Sequence, residues 1–308
     1  MKIAILDDYQ DAVRTLDAFG RLAGHEVLVF NDTCHDPQAL AERLAGVEGL
    51  VLIRERTRID EALLSRLPDL KVISQTGGGA AHIDKQACDR HGVEVVTGTG
   101  LPHAAAELTW ALVLATARHL PEEAENLKAG RWQRTLGTGL NGRTLGIFGL
   151  GRIGSLVARY GQAFGMQVLV WGREGSQARA RDAGLAVAAN QRELFERADV
   201  LSLHLRLNDD TRGIVGADDL AAMSPQAMLI NTSRAELIAP GALEAALRQG
   251  RPGRAGIDVF EQEPLIEHPM LALPNLVATP HLGYVEKDTY ERYFSDAFDN
   301  LLAFDTSR

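Results

Sequence analysis

The chain lacks several features that mark particular protein classes. It has only two cysteines, Cys34 and Cys88, with no CxxC and no paired histidine. That supports neither a disulfide scaffold nor a zinc site, and it fits a reducing compartment in which both are small packing residues. Long apolar runs are missing too. The longest, around 108–117, falls short of the roughly 20 residues that span a bilayer. MKIAILDDYQ at the N-terminus does not read as a secretion signal, because its apolar run is brief and acids follow at once. Positive charge is not in excess: 32 Lys and Arg stand against 41 Asp and Glu, a net charge of −9. Such a balance argues against nucleic acid as a partner but leaves room for a local basic pocket. A cytoplasmic protein with no membrane partner and no metal site is the expectation.

With 308 residues, 45% of them apolar, the chain is long enough for two domains. Its first part alternates short apolar runs (KIAILDD, EVLVF, GLVLI, KVISQ, VEVVT) with helical patterns such as PQALAERLAG and DEALLSRL. A longer helix is expected from about His103 to His119, with Pro121 near its end. A second alternating series follows: TLGIF, QVLVW, VLSLHL, AMLINTS, RAGIDVF and NLVATP. Alternation of this kind predicts an α/β protein with parallel sheets covered by helices on both faces. The last helix, expected over Glu286–Phe304, carries Tyr290, Phe294, Ala297, Phe298 and Leu301 at helical spacing. It is expected to return to the first domain. The division is thus 1–98 plus 286–308 for one domain and 99–285 for the other, with the boundary near Thr97–Leu101.

GLGRIG, Gly149–Gly154, follows the strand TLGIF and opens the helical stretch RIGSLVARYGQAF. A lone GxGxxG is weak, but this setting is the one that a dinucleotide requires. Gly149 permits the tight turn, Gly151 lets the backbone approach a pyrophosphate, and Gly154 lets the helix pack close to the strand. The helix start at Arg152 and Ile153 then offers unpaired N–H groups to the phosphates. The next strand, QVLVW, ends in Trp171-Gly172-Arg173-Glu174 where an acid would bind the ribose 2′-OH of NAD. Arg173, with Arg179 or Arg181 nearby, favours the 2′-phosphate of NADP over NAD. Two other readings stay open: Arg173 stacking on adenine with either cofactor, or Glu174 turning inward to the ribose.

Arg234, Glu263 and His281 each sit just after an apolar run, in INTSRAEL, IDVFEQEP and ATPHLGY. Singly each has an ordinary explanation: a surface cation, a solvated acid, a structural histidine. Jointly they sit at strand ends, where ligands bind in such sheets. Histidine trades protons near neutral pH, a carboxylate beside it favours the charged imidazolium, and guanidinium grips a carboxylate bidentately. Hydride transfer to a 2-oxoacid needs that set: an anchor, a proton donor and the donor's partner.

The stretches TGGGAAHID, AAAELTWALVLA, LGIFGLGRIG, DVLSLHLRLNDDTRGIVG, MLINTSRAELI, ALRQGRPGRAGIDVFEQEPL and NLVATPHLGY, in this order, resemble the D-isomer-specific 2-hydroxyacid dehydrogenases over nearly the whole chain. The resemblance implies two Rossmann-like/flavodoxin-like domains with the active site in the cleft between them, and a homodimer. It implies that Arg234 binds the substrate carboxylate, that His281 is the acid/base and that Glu263 pairs with it. Asp258 would lie near the nicotinamide carboxamide, with Thr232, His204 and Gly283 lining the cofactor site. Substrate would meet the glycine loop Thr76, Gly77, Gly78 and Gly79, with Arg54 and His103 as further candidates. Trp132 is assigned either to a subunit contact or to the core.

Some residues depart from the family pattern. Ala235 stands where glycine is frequent, and Arg206 stands where many relatives have proline, which adds positive charge near the adenosine end. GYVEKDTYE after His281 differs from the commonest version, so substrate preference cannot be copied. No regulatory domain is expected after the last helix. The leading expectation is an NAD(P)-dependent reductase of a small 2-oxoacid. The alternatives are a cofactor-sensing corepressor-like protein and a formate- or phosphite-type dehydrogenase; formate enzymes of this superfamily pair the histidine with Gln, where this chain has Glu263.

Overall fold

A computed structural model describes residues 1–306. The apolar runs form strands β1 (Lys2–Ile5), β2 (Glu26–Val29), β3 (Gly49–Leu52), β4 (Val72–Gln75) and β5 (Glu94–Thr97). All neighbours are parallel, in the order β2-β1-β3-β4-β5. Every residue of β3 and β4 is buried, as expected of parallel strands covered on both faces. Three short helices return between them: α1 (Pro37–Arg43), α2 (Glu61–Leu64) and α3 (Lys85–Arg90). Each starts on an aspartate, Asp36, Asp60 and Asp84, whose side chain accepts a first-turn N–H.

The second series begins with α4 (His103–Arg118) and α5 (Leu120–Lys128). One helix was expected to run to His119 and close near Pro121. Instead His119 takes a left-handed backbone, φ 54°, and Pro121 lies in the first turn of a second helix, where its missing N–H costs nothing. Then come β6 (Thr144–Phe148), α6 (Arg152–Ala163), β7 (Gln167–Trp171), α7 (Glu174–Asp182), β8 (Ala186–Val187), α8 (Gln191–Arg197) and β9 (Val200–Leu203). They are followed by α9 (Ala217–Ala222), β10 (Met228–Asn231), α10 (Ala242–Gln249), β11 (Arg254–Ile257) and β12 (Leu276–Ala278). The two-residue β8 is too short to leave a pattern in the sequence. These strands form one parallel sheet in the order β12-β11-β10-β9-β6-β7-β8. Its apolar clusters centre on Phe148, Phe195 and Leu229 and on Val113, Ile147 and Val157. α4 lies against β10 and β11, close enough that a Cβ on Gly256 would sit 2.9 Å from Thr116 Oγ1.

The chain ends in α11 (Lys287–Thr306), which packs on β4 and on the turn Asp17–Leu22. Phe294, Phe298 and Leu301 are buried, and Phe298 meets Phe19 edge-to-face at 6.5 Å. Two compact units result: Met1–Leu101 with the described residues from Val285 on, and Pro102–Tyr284. Among the described residues no helix is long and apolar enough to cross a membrane.

The first sheet has the 2-1-3-4-5 order of flavodoxin-like folds. Counted from β6, the second has the 3-2-1-4-5-6 Rossmann order with one added strand. Its order reverses between β6 and β9, and register fixes what lies there. Trp171, Phe148, Leu203, Asn231, Ile257 and Ala278 stand opposite one another in a single row. The residues that follow, Gly172, Gly149, His204, Thr232, Asp258 and Thr279, therefore form the carboxyl rim of the sheet.

Tight packing below this rim gives a stability test. A Cβ on Gly253 would lie 1.9 Å from the Pro225 carbonyl oxygen, a backbone atom that cannot swing away, whereas one on Gly139 would meet nothing within 4 Å. Gly253→Ala is expected to cost about 1–3 kcal/mol, which lowers Tm by roughly 3–10 °C. Gly139→Ala should leave Tm within about 1 °C. Thermal denaturation of both variants checks this, and equal shifts would contradict the packing argument.

Candidate active site

The rim brings together many of the residues expected at the cofactor and catalytic sites. His281 follows β12, and its Nδ1 lies 2.5 Å from Glu263 Oε2. Both side chains are mostly buried. The other oxygen of Glu263 accepts the Phe260 N–H at 2.9 Å, which aims the carboxylate at the imidazole. His281 Nε2 has no hydrogen-bond partner among the described residues. The pair thus fixes one ring nitrogen and leaves the other available.

The His281 backbone has φ 53°, a left-handed conformation that costs an ordinary residue about 1–2 kcal/mol. Asp258 holds it there. Its Oδ1 accepts from Thr279 Oγ1 at 2.6 Å and from the Leu282 N–H at 2.7 Å, and its Oδ2 accepts from the Gly283 N–H at 2.8 Å. The carboxylate, 0% exposed, thereby grips the loop on both sides of the histidine. Burial raises the Asp258 pKa above its ordinary value, against the pull of these donors and of the nearby His281.

Arg234 projects from the turn after β10. Asn231 folds that turn: its amide donates to the Arg234 carbonyl at 2.9 Å, and its side-chain oxygen accepts the Ser233 N–H at 3.0 Å. Ser233 Oγ donates to the Leu203 carbonyl of β9, and Arg234 Nη1 donates to the Ser233 carbonyl. Ala235 is accommodated, buried, in a 3-10 turn. Thr232 Oγ1 meets Thr109 of α4 at 2.6 Å. Asn231, Thr279 and Thr109 are positioning residues that sequence reasoning missed. The available signal was a polar residue at the end of, or facing, an apolar strand.

His204 differs from His281. Its Nε2 lies 2.9 Å from Ser202 Oγ, while its Nδ1 is shielded and unpartnered. Burial pushes its pKa down to about 4, so the ring is neutral at physiological pH.

The glycine loop joins β6 to α6 at the switch point. Gly149 has φ 99°, and a Cβ there would lie 2.8 Å from the His204 carbonyl. A Cβ on Gly154 would lie 2.3 Å from the Gly149 carbonyl, so both glycines are sterically required. Gly151 is the opposite case: nothing stands within 4 Å of its Cβ position. It is the N-cap of α6 and offers no capping side chain, so the first-turn N–H groups at Arg152 and Ile153 are left for a ligand. Open space over a helix N-terminus at the switch point fits a dinucleotide pyrophosphate.

At the tip of β7, exposed Arg173 pairs with Asp210 at 3.2 Å. Glu174 instead bonds Arg181 along α7, and Arg179 donates to the Leu150 carbonyl of the glycine loop. Arg206 is exposed.

In the first unit Arg54 follows β3 and the loop Thr76–Gly79 follows β4. The Arg54 N–H donates to Thr76 Oγ1 at 3.1 Å, and Gln75 Nε2 donates to the Arg54 carbonyl at 2.9 Å, which ties the two loops together. The N–H groups of Gly77, Gly78 and Gly79 donate to none of the described residues. His103 is the exposed first residue of α4.

Comparison with known proteins identifies the family. Residues 110–283 match the family model described as D-isomer specific 2-hydroxyacid dehydrogenase, NAD binding domain. The glyoxylate reductase of Aeropyrum pernix is 40% identical over 258 residues, 80% of this chain and 77% of that protein. The D-3-phosphoglycerate dehydrogenase of Methanocaldococcus jannaschii is 35% identical over 287 residues, 92% of this chain but 53% of that protein, so the chain spans about half of that relative. A solved structure, the phosphoglycerate oxidoreductase from Vibrio cholerae O395, is 55% identical with a TM-score of 0.98, covering 100% of each chain. The chain belongs to the D-isomer-specific 2-hydroxyacid dehydrogenase family and is an oxidoreductase that uses a nicotinamide dinucleotide.

Proposed function

We propose that the enzyme reduces a small 2-oxoacid to the D-2-hydroxyacid, with His281 as acid/base, Glu263 as its partner and Arg234 as the carboxylate anchor. The observation that carries this reading is the 2.5 Å contact of Glu263 with His281 Nδ1, which leaves Nε2 to face substrate. When bound, the nicotinamide cofactor supplies the hydride for the carbonyl carbon. His281 gives its Nε2 proton to the carbonyl oxygen and ends neutral; in the oxidative direction it takes that proton back. Arg234 holds the substrate carboxylate bidentately and orients the carbonyl. Arg54 and the free N–H groups of Gly77–Gly79 are assigned to the substrate as well, since a run of unpaired N–H groups suits an anion. Asp258 acts by holding the loop of His281.

The cofactor is held by Gly149, Gly151, Arg152, Ile153 and Gly154 at the pyrophosphate, with His204, Thr232 and Gly283 lining the rest. NADP is the favoured form. Arg173 is bound only by an exposed ion pair with Asp210, worth about 0–1 kcal/mol, so its guanidinium is easily transferred to a 2′-phosphate. Glu174 lies along α7 beside Arg181 and not at the strand tip where Arg173 stands. A cytoplasmic setting suits the two free thiols, of which buried Cys88 is pushed up to about 11 and so stays unreactive.

A homodimer is part of the same reading. Leu127 of α5, Trp132 and Leu136 are exposed, Trp132 by 73% and Leu136 by 94%, so Trp132 is not a core residue. Yet the segment is ordered: Glu123 accepts the N–H groups of Arg134 and Thr135, and Thr138 N–H donates to the Ala117 carbonyl. Apolar side chains fixed outward in this way call for a partner surface.

His281→Ala is expected to lower kcat by about 10²–10⁴-fold while cofactor affinity is kept. Arg234→Ala should act mainly on KM for the oxoacid. Steady-state kinetics and cofactor fluorescence titration measure both, and an unchanged kcat in His281→Ala sinks the assignment. NADPH should be preferred over NADH across glyoxylate, hydroxypyruvate and pyruvate, and Arg173→Ala should lose roughly tenfold of that preference, about 1.4 kcal/mol. An NADH preference in the unaltered enzyme would refute the role given to Arg173. Sedimentation should give twice the chain mass, with Trp132→Ser/Leu136→Ser shifting it to the monomer; a monomeric parent protein contradicts the dimer.

A further inference from the structure

The helical spacing of Tyr290, Phe294, Ala297, Phe298 and Leu301 in the last helix passes over Tyr293. The structure places its hydroxyl beside the glycine loop of its own unit. A Cβ on Gly77 would lie 3.2 Å from Arg54 Nη1 and 3.7 Å from both Cζ and Oη of Tyr293. The guanidinium and the phenol therefore flank one point above Gly77, next to the N–H groups that donate to no described residue. Gly77 is buried with φ 72°, a left-handed backbone open to glycine, and the next residue, Gly78, is exposed.

Tyr293 is only 4% exposed, yet its hydroxyl bonds to none of the described residues. Tyr290, one turn earlier, differs: its hydroxyl donates to Gln10 at 3.2 Å. The position of the ring is fixed. Asp296, one turn on, accepts from Thr99 Oγ1 at 2.8 Å and pairs with Arg292 at 3.2 Å, which anchors the helix beside β5. Phenylalanine would bury the same ring with no polar atom to satisfy. A hydroxyl held at this point without a protein partner is available to a ligand oxygen.

We propose that Tyr293 is a specificity-determining residue that selects 2-oxoacids bearing an oxygen on C3. Its phenol hydrogen-bonds that oxygen while Arg54 and the Gly77–Gly79 N–H groups hold the anionic part of the substrate. The inference rests on the reading that this loop binds substrate. A methyl group at C3 would leave the phenol unpaired, and a site built around a substrate hydroxyl discriminates against the analogue lacking it.

The test compares hydroxypyruvate, which carries a C3 hydroxyl, with pyruvate, which does not, in the unaltered enzyme and in Tyr293→Phe. The unaltered enzyme should favour hydroxypyruvate in kcat/KM. Tyr293→Phe should lose about tenfold of kcat/KM for hydroxypyruvate, mainly through KM. Pyruvate turnover, cofactor KM and Tm should stay within experimental error of the parent. Parallel losses for both acids, or no loss for either, overturn the role of Tyr293 while the parent reading survives. No turnover of either acid by the unaltered enzyme, or an Arg54→Ala variant with unchanged KM for both, overturns the parent reading and the inference together.

Discussion

The grip of the Asp258 carboxylate on the Thr279–Gly283 loop is the constraint on which the placement of His281 depends. Three donors converge on one buried carboxylate, and between them the chain passes through His281 at φ 53°. Left alone, that backbone would relax and the imidazole would leave Glu263. The arrangement is not favourable to the fold in itself. Burial raises the Asp258 pKa, so the stability linked to this group is present at low pH and falls as pH rises through the raised value. A buried carboxylate kept at such a cost is best understood by what it holds in place.

Sheet register turns that local grip into a site. Because β6, β7, β9, β10, β11 and β12 end on one row, a single step past the row puts a glycine turn, the half-buried His204, the Thr232 turn and Asp258 along one edge. A slip of one residue in any strand would send its rim residue to the other face. The apolar row of Phe148, Leu203 and Ile257 resists such a slip, since each is buried in the clusters beneath. The packing of the sheet and the placement of the chemistry are therefore one constraint.

What was legible in the sequence follows the same division. Strands buried on both faces read as apolar runs, so eleven of the twelve could be placed, and the glycine loop stood out because two of its glycines answer to steric necessity. The two-residue β8 was not legible, nor was the left-handed His119 that breaks α4 from α5, because tertiary context and not propensity decides them. Side-chain partners distant in sequence were equally hidden. Arg173 meets Asp210 and Thr109 meets Thr232 only after the chain has folded. Arg234 and Glu263 could be named from their segments, but the residues that aim them, Asn231 and the Phe260 N–H, could not.

The two histidines of the rim show how one residue type acquires two different environments. Both follow strands of the same sheet and both are largely withdrawn from water. His204 has only a hydroxyl beside it, and desolvation wins: its pKa falls to about 4 and the ring stays neutral. An imidazole in that state can accept or donate a hydrogen bond to a neighbouring ligand, but it has no proton to release near neutral pH. His281 sits 2.5 Å from a carboxylate that is itself aimed by a backbone N–H, so a charged ring there has a counter-charge. Sequence offers the same letter at both places. The carboxylate, delivered from a segment 18 residues away, gives His281 a charged partner that His204 lacks.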